Sequence, residues 1–474
     1  MDEVKLVKEA VGNHRDLIFE TENFLWAHPE TGYREWTADR HLKKIFRDLG
    51  YSITEAGDIP GFYAELDTGK AGPCIAILGE MDALPCDGHP AADPLTHAAH
   101  ACGHHCQCAA LVGVAAALKE SNVTDGLCGK IRLMAVPAEE IVDLDFRMSL
   151  IEKGVIHYLQ GKPEFIYRGY FDGVEMAMLI HAGRQKPGTL LKVRNGPTCG
   201  CIVKHMAFIG KAAHAGARPE QGVNALYAAN IAMNAVNALR ERFVDDDHIR
   251  FHPIVTAGGD AINVIPNRVV LESYLRGSNL QSMMEYNKMI NQALAGAAVS
   301  IGAGLEIHDY AGSLPMKNDP LLRRTVKEAI ETLEGEGTCL LSQELWSPGG
   351  TDLGNLSSLI PVVQPSTTGV EGVGHSRDFQ IKSVYHCCQI PAECLVMMVR
   401  MLLKHDAARA REVLAQAQPV FQSKEEYFQA MESFSTHGEV VDYLENDEVR
   451  IHLSKGRQSD QESRWQIGSR WSRP

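Results

Sequence analysis

Over roughly the first fifty residues, apolar side chains recur at helical spacing. Leu17, Phe24, Leu25, Leu42, Ile45, Phe46 and Leu49 carry this pattern, and Pro29–Gly32 breaks it into two segments. Strand-like segments follow: ITEAG, FYAEL and CIAILGEMDALP. The last is an apolar run ending in acidic residues and Pro85, the profile of a buried strand whose C-terminal end opens into a site. Residues 86–106 are rich in His, Asp, Pro and Cys and carry little periodicity. The Ala- and Leu-rich stretch from Gln107 to Lys119 predicts a buried helix. GKIRLMAV, residues 129–136, predicts another core strand, and PAEE follows it directly. Strands alternating with helices predict an α/β domain with crossover connections.

Near residue 200 the pattern changes. CIVKHMAFIG is strand-like, and NALYAANIAMNAVNALRERF is a long helix with apolar residues three and four apart. FHPIVTAGG, AINVIP and NRVVLESYLRG alternate like antiparallel strands. MMEYNKMINQALAGAAVSIGA is a second helix and LEIHDYAGS a last strand. Strand–helix–strand–strand–helix–strand is the order of a ferredoxin-like α+β unit. It is placed at 198–311, inserted into a catalytic α/β domain formed by 1–197 and 312–404, whose mostly parallel central sheet is flanked by helices. The chain returns to that domain with a helix near 318–334, then GGTDLGNLSSLIPVVQPS, GVGHSRDF and a closing helix near 382–404. Residues 405–474 are helical, then polar and charged. They form a C-terminal extension to which the pattern assigns no role.

Composition narrows the function. The chain has 474 residues, 45% hydrophobic and 22% charged, which suits a soluble globular protein of two or three domains. A formal net charge of −14 argues against nucleic acid or an anionic membrane surface as the main partner. It leaves room for a small anionic substrate, because one Arg or His can hold a carboxylate. No uncharged apolar stretch reaches the ~18 residues of a membrane span. The opening MDEVKLVKEA has early acidic residues and no apolar core of a signal peptide. Twelve cysteines in so long a chain do not read as a secreted disulfide framework. Reduced thiols and a cytoplasmic location are expected.

The densest chemical signal is HACGHH, residues 100–105. Cys102 and His104 lie two apart just before a helix, and a sharp turn at Gly103 can bring them together. A soft thiolate beside a borderline imidazole suits zinc and other late divalent metals. The plain alternative is a cysteine buried at a helix start beside surface histidines. Cys106 and Cys108 are spaced as spare ligands, but fall on the apolar helix and read as packing. In PAEE, Glu139 and Glu140 diverge at a strand end, so one can ligate metal while the other acts as general base. The alternative there is a solvated acidic turn. Asp82, in GEMDALP, can orient a metal-bound histidine or cap a turn. His181 in MLIHAG and His375 in GVGHSRDF also follow apolar runs, where a lone histidine is more often a core or turn residue. What groups these residues is that each lies where a strand of one sheet ends, which is where the ligands of a dinuclear site should converge.

The order of motifs resembles a known family. WAHPETGYRE, GEMDALP, HACGH, PAEE, IHAG, GKAAHAGARPEQGVNAL, GGDAINVIPN, GGTDLGN and GHSRDF run from about residue 14 to 404. They resemble the metallo-amidohydrolases and peptidases that include carboxypeptidase G, aminoacylase, hippurate hydrolase, auxin-conjugate amidohydrolases and aminobenzoyl-glutamate hydrolase. The resemblance is strongest to the cysteine-containing amidohydrolase branch. It implies hydrolysis of the amide bond of small N-acyl amino acids or dipeptide-like substrates at two divalent cations per subunit. Zinc or manganese is expected first, with nickel and cobalt as further candidates. By the same resemblance Cys102 is the bridging thiolate, and His104, Glu140, His181 and His375 are the other ligands. Glu139 is the general base, and Asp82 orients a ligand. His214 sits in an inserted lid that forms a homodimer, and reaches the partner's active site to stabilise the oxyanion. Asn263 and Arg276 hold the substrate carboxylate or oxyanion.

Three features depart from the family pattern. His105 stands where relatives have Asp or Asn, residues 141–175 are longer and more acidic, and the tail beyond about 405 has no counterpart. Two other readings keep the fold but change the function: an aminopeptidase or dipeptidase, and an inactive metal-binding relative. A zinc nucleobase deaminase needs H-x-E followed by P-C-x-x-C, and neither occurs near the His/Cys cluster.

Overall fold

Cys74–Glu80 is buried at all seven positions, as befits a strand in the middle of a sheet covered on both faces. The computed structural model describes residues 2–444 and 448–453 and places this strand inside a six-stranded sheet. The order across it is Ile53–Glu55, Phe62–Asp67, Lys130–Val136, Cys74–Glu80, Met176–Met178 and Val362–Val363. The first two pairings are antiparallel and the other three parallel. The four parallel strands therefore end at one edge. Residues 81–85, 137–140, 179–181 and 364–366 leave the sheet there, side by side.

The helix His104–Ala117 is buried at every position and packs on Cys74–Glu80, with Glu3–Gly12, Arg15–Trp26 and Ile390–Gln416 around it. Its lack of a polar face follows from being enclosed on all sides. Ile390–Gln416 continues past the expected end at 404, with a kink of non-helical backbone at Lys404, His405, Asp406 and Ala407. Among the described residues, Tyr385–Gln416 is the one helix long and apolar enough to cross a membrane, but 89% of its apolar window is buried inside the protein. That apolar surface is used by the core. All twelve cysteines are free thiols.

A second sheet centres on Gly200–Ile209 and Arg268–Gly277. Gly304–Ala311 flanks it on one side, and Arg250–Phe251 and Ile254–Ala257 on the other, all antiparallel. The helices Ala225–Ala238 and Leu280–Val299 pack on it. Taken in chain order, the strands lie fourth, first, third, second, the ferredoxin-like arrangement. Asparagines start both helices. Asn224 accepts the N–H groups of Leu226 and Tyr227, and Asn279 that of Ser282, which satisfies donors that a helix start leaves free. Buried Lys204 pins sheet to helix through Asp309 at 2.5 Å and the side-chain oxygens of Asn287 and Asn291.

Part of the C-terminal extension is built into this sheet. Thr436–Glu439 pairs antiparallel with Gly304–Ala311, and Val441–Tyr443 forms a hairpin with Val449–Ile451. The helix Lys424–Ser433 precedes them, capped by Ser423. A THGE strand has no apolar alternation to announce it; ladder hydrogen bonds to an existing edge suffice to place it. The rest of the extension, 445–447 and 454–474, lies outside the described residues.

Candidate active site

Gly103 precedes the helix His104–Ala117 in the left-handed region, at φ +86°. A Cβ there would sit 2.8 Å from the Ala182 Cβ, so the turn requires glycine. It folds Cys102 and His104 to one side, where they meet His181. The donor atoms of these three lie within 4.8 Å of one another, with Cys102 Sγ 3.4 Å from His181 Nε2. His104 Nδ1 lies 3.0 Å from Asp82 Oδ1 and 3.1 Å from the Asp82 carbonyl oxygen. Its Nε2 is buried without a hydrogen-bond partner.

The Glu139–Glu140 pair is aimed by a strained turn. Ala138 has φ +57°, a conformation that costs a non-glycine residue energy and persists only where its surroundings impose it. Here Glu35 accepts the Ala138 N–H at 2.7 Å, Asp82 Oδ2 accepts the Glu140 N–H at 2.8 Å, and buried Arg147 donates to the Glu140 carbonyl. Glu140 Oε1 then lies 2.9 Å from His375 Nε2. Cys102, Glu140 and His375 form a second close donor triad, and His104, Glu139 and Glu140 a third. Cys102 is common to the first two.

The electrostatics are those of anionic donors facing cationic ones. Burial pushes the Cys102 thiol up, but His104 and His181 outweigh it and bring it down to about 6. Hydrogen bonds to Cys102 and Glu140 push His375 up to about 11. Burial lowers His104 and His181, yet Cys102 raises both above the ordinary imidazole value. Burial, Glu80 and Glu140 hold Glu139 well above the ordinary carboxyl value. For Glu140, burial is outweighed by His375 and the shift is downward. Cys102, Glu139, Glu140, His181 and His375 line a cavity of about 250 Å³, whose walls also carry Arg194 and Arg276.

The model of peptidase family M20/M25/M40 matches residues 76–397, more than half of the chain. The chain belongs to peptidase family M20/M25/M40. Among curated members similar to it, the Xaa-Arg dipeptidase of Mus musculus is 27% identical over 377 residues, 75% of this chain and 77% of that protein. The N-acetyl-L-cysteine deacetylase of Bacillus subtilis (strain 168) is 28% identical over 319 residues, 64% of this chain and 70% of that protein. Among solved structures, the YXEP protein of Bacillus subtilis, described as a dinuclear metal-binding peptidase from the M20 family, superposes with a TM-score of 0.61. It is 20% identical and is matched over 83% of this chain and 99% of its own. Members of this family are hydrolases, and this chain carries the family's order of motifs.

Of the site residues expected from sequence, the fold brings seven to one cavity or its supporting wall: Asp82, Cys102, His104, Glu139, Glu140, His181 and His375. Arg276 joins them at the cavity wall. Asn263 does not, nor within this one chain does His214. His214 is exposed, with Nδ1 accepting from the Gly216 and Ala217 N–H groups. Ala215 N–H donates to the Asn263 carbonyl at 3.0 Å. Both residues belong to an exposed loop pair at the edge of the second sheet, so Asn263 holds nothing in its own chain's cavity.

The family's motifs also hide supporting residues that sequence reasoning does not single out. Glu80 lies 3.4 Å from His104 Nε2. Burial raises its carboxyl, but Lys162, His104 and His181 outweigh that and hold it below the ordinary value. Lys162 is fully buried between Glu80, at 2.5 Å, and Asp352. Glu80 and Asp352 sit inside GEMDALP and GGTDLGN, Glu80 two residues before Asp82. Lys162 lies in the irregular 141–175 stretch, where nothing in the sequence sets it apart.

Proposed function

We propose that this chain hydrolyses the amide bond of small N-acyl amino acids or dipeptide-like substrates at a pair of divalent cations. The observation that carries the reading is the two donor triads that share Cys102, with Glu139 on the wall of the same cavity. The donor set fits such a pair. His104 Nε2 is buried without a hydrogen-bond partner, and a buried unpaired polar atom is costly unless something binds it. A thiolate common to both triads suits a bridging position. Three imidazoles with a thiolate and a carboxylate suit zinc, with nickel and cobalt as further candidates; manganese is a candidate by the family resemblance. Cys102, His104 and His181 would hold one ion, and Cys102, Glu140 and His375 the other.

Bound there, the cations supply a water of lowered pKa and a polarised carbonyl. The chain's own residues do the rest. Glu139, its carboxyl raised by burial and two neighbouring carboxylates, takes a proton from the attacking water and returns it to the leaving nitrogen. Asp82 keeps His104 in one tautomer and orientation. Arg194 and Arg276 line the same cavity, and guanidiniums suit the free carboxylate of an amino-acid leaving group.

The active unit is read as a homodimer. Tyr227 and Ile231 on the helix Ala225–Ala238 are 64% and 37% exposed, and Ile254 and Val255 on the edge strand Ile254–Ala257 are 62% and 47% exposed. An apolar edge strand beside an apolar helix face favours pairing with a second copy. His214 and Asn263 sit on the same unit, so pairing through it would supply them to the partner's cavity as oxyanion or carboxylate donors.

The test is a panel of N-acyl amino acids, dipeptides and their carboxyl-blocked analogues, assayed alongside metal content. Metal-dependent hydrolysis that requires the free carboxylate is expected. A requirement for a free amine beside the scissile bond would make the chain an aminopeptidase. Two bound metals without any turnover would make it an inactive relative.

A further inference from the structure

A second set of metal-binding side chains is buried behind the first turn of the helix His104–Ala117. His104 faces Asp82 and Glu80, while the next residue, His105, faces Glu22 on the helix Arg15–Trp26. His105 Nε2 lies 3.3 Å from Glu22 Oε1 and 3.5 Å from Cys106 Sγ. The donor atoms of Glu22, His105 and Cys106 all lie within 4.8 Å of one another. The thiols of Cys387 and Cys388 are close enough to Cys106 to interact with it electrostatically, and Cys387 Sγ also donates to the Thr368 carbonyl at 3.3 Å. Cys387 and Cys388 follow one another in a π-helical turn, Tyr385–Gln389, a local form often met at functional sites. Glu22 is 4% exposed and the other four are 0–1% exposed.

We infer that Glu22, His105, Cys106 and one of the two thiols Cys387 and Cys388 bind a single thiophilic divalent cation, zinc by donor type, at a site separate from the catalytic pair. The spacing matches. With Zn–S at ~2.3 Å and Zn–N or Zn–O at ~2.0–2.1 Å, a tetrahedral ion sets its N–S edge near 3.5 Å and its N–O edge near 3.4 Å. The observed distances are 3.5 and 3.3 Å. Charge points the same way. No lysine or arginine pairs with Glu22 among the described residues, and a carboxylate buried without a cation is costly. Trp26 and His100 wall the His105 ring, with centroids 5.1 and 4.8 Å away, and such a dry shell strengthens ion–ligand attraction. On binding, the two thiols give up their protons to solvent. The ion ties three elements together directly behind the turn that presents Cys102 and His104, so its role is to hold that turn.

The full-length protein, saturated with zinc and freed of excess, is examined by anomalous diffraction at the zinc edge and by metal analysis. A peak enclosed by Glu22, His105 and Cys106 is expected, distinct from any at Cys102. His105→Asn and Cys106→Ser should each lose one zinc equivalent per chain, while Cys102→Ala should leave that equivalent in place. If the catalytic reading fails, the peaks near Cys102 vanish and this one stays. The inference is overturned by zinc-saturated wild-type crystals with no peak there, by electron density joining Cys106 Sγ to Cys387 or Cys388, or by unchanged zinc content in both variants. Should the variants fail to fold, the wild-type crystals decide.

Discussion

Asp82 Oδ1 lies 3.0 Å from His104 Nδ1 while its Oδ2 accepts the Glu140 N–H at 2.8 Å. One fully buried carboxylate thus sets the ring of one candidate ligand and the backbone of another. Partners of this kind typically account for ~10–100-fold in metal affinity or activity. Asp82→Ala should weaken metal binding by about that factor. Asp82→Asn should fall between, because an amide turned to accept from His104 presents N–H groups to the Glu140 N–H. Calorimetric metal titration of the two variants checks this, and a wild-type affinity in Asp82→Ala would show that packing alone positions the donors.

Glu139 lines the cavity and is not needed by the two donor triads that share Cys102. Its side chain is 11% exposed, and burial with two carboxylate neighbours favours its protonated form. A carboxyl with so perturbed an affinity for protons, on a cavity wall, is a candidate proton shuttle. Glu139→Gln keeps the shape and removes the proton-accepting function. It should retain both metals and lose ~10²–10⁴ in kcat, the usual contribution of general acid–base catalysis. Steady-state kinetics with metal analysis on the same sample separates loss of chemistry from loss of metal.

Arg194 and Arg276 are the cavity's cationic groups outside the donor set. A charge-assisted hydrogen bond contributes ~1.5–3 kcal/mol, or about 10–100-fold in an equilibrium constant. Arg194→Ala should therefore raise KM for a free-carboxylate substrate by that factor and change kcat less. On a carboxamide-blocked substrate, wild type and variant should perform alike. A KM penalty of equal size on both substrates would assign Arg194 to a structural role.

Among the candidate metal donors, Glu140 and His181 are legible because each follows an apolar strand that ends at one sheet edge, and parallel strands gather such ends whatever their distance in sequence. Cys102 and His104 instead sit at a helix start, and His375 sits in a loop between the short strands Val370–Glu371 and Gln380–Ile381, so the motifs alone mark them. The supporting ion cluster is less legible. Glu80 and Asp352 lie inside recognisable motifs, but their partner Lys162 is one lysine in an irregular stretch, and only the fold makes it buried. The strand Thr436–Glu439 was illegible for a similar reason. Its place depends on a free edge of Gly304–Ala311, while its own residues show no period. Cys106 reads as packing on an apolar helix and His105 only as a departure from the family pattern, since the Glu22 and Cys387–Cys388 that face them come from distant segments.

His214 is exposed and lies outside its own chain's cavity, so its proposed role requires a second copy. Mixing His214→Ala with Glu139→Gln subunits at equal amounts makes half the dimers mixed. Each mixed dimer holds one site with both residues intact, because a two-fold interface exchanges the same elements in both directions. About a quarter of wild-type activity should return on mixing, from two nearly inactive parents. Activity assays before and after subunit exchange, with sedimentation to confirm the dimer, check it. Exchange without rescue would place the work of His214 within its own chain.

Away from the site, Glu393 offers a pH test of the core. It sits on Ile390–Gln416 at 2% exposure, with Oε1 accepting from Gln389 at 2.9 Å and Oε2 without a partner. Burial pushes its carboxyl from the ordinary 4.5 up to about 7, against the smaller downward pull of Gln389. The folded state therefore binds more protons than the unfolded chain between those values. The resulting stability is fully present below pH 4.5 and is lost as pH rises through about 7. At ~1.4 kcal/mol per pH unit the ceiling is about 3 kcal/mol. Glu393→Gln keeps the Gln389 hydrogen bond and removes the titration. It should match wild type in denaturant unfolding at pH 4.5 and exceed it by about 2–3 kcal/mol at pH 8. The difference between the two proteins cancels every other titrating group, so a pH-independent gap would mean that this carboxyl stays charged and satisfied inside the fold.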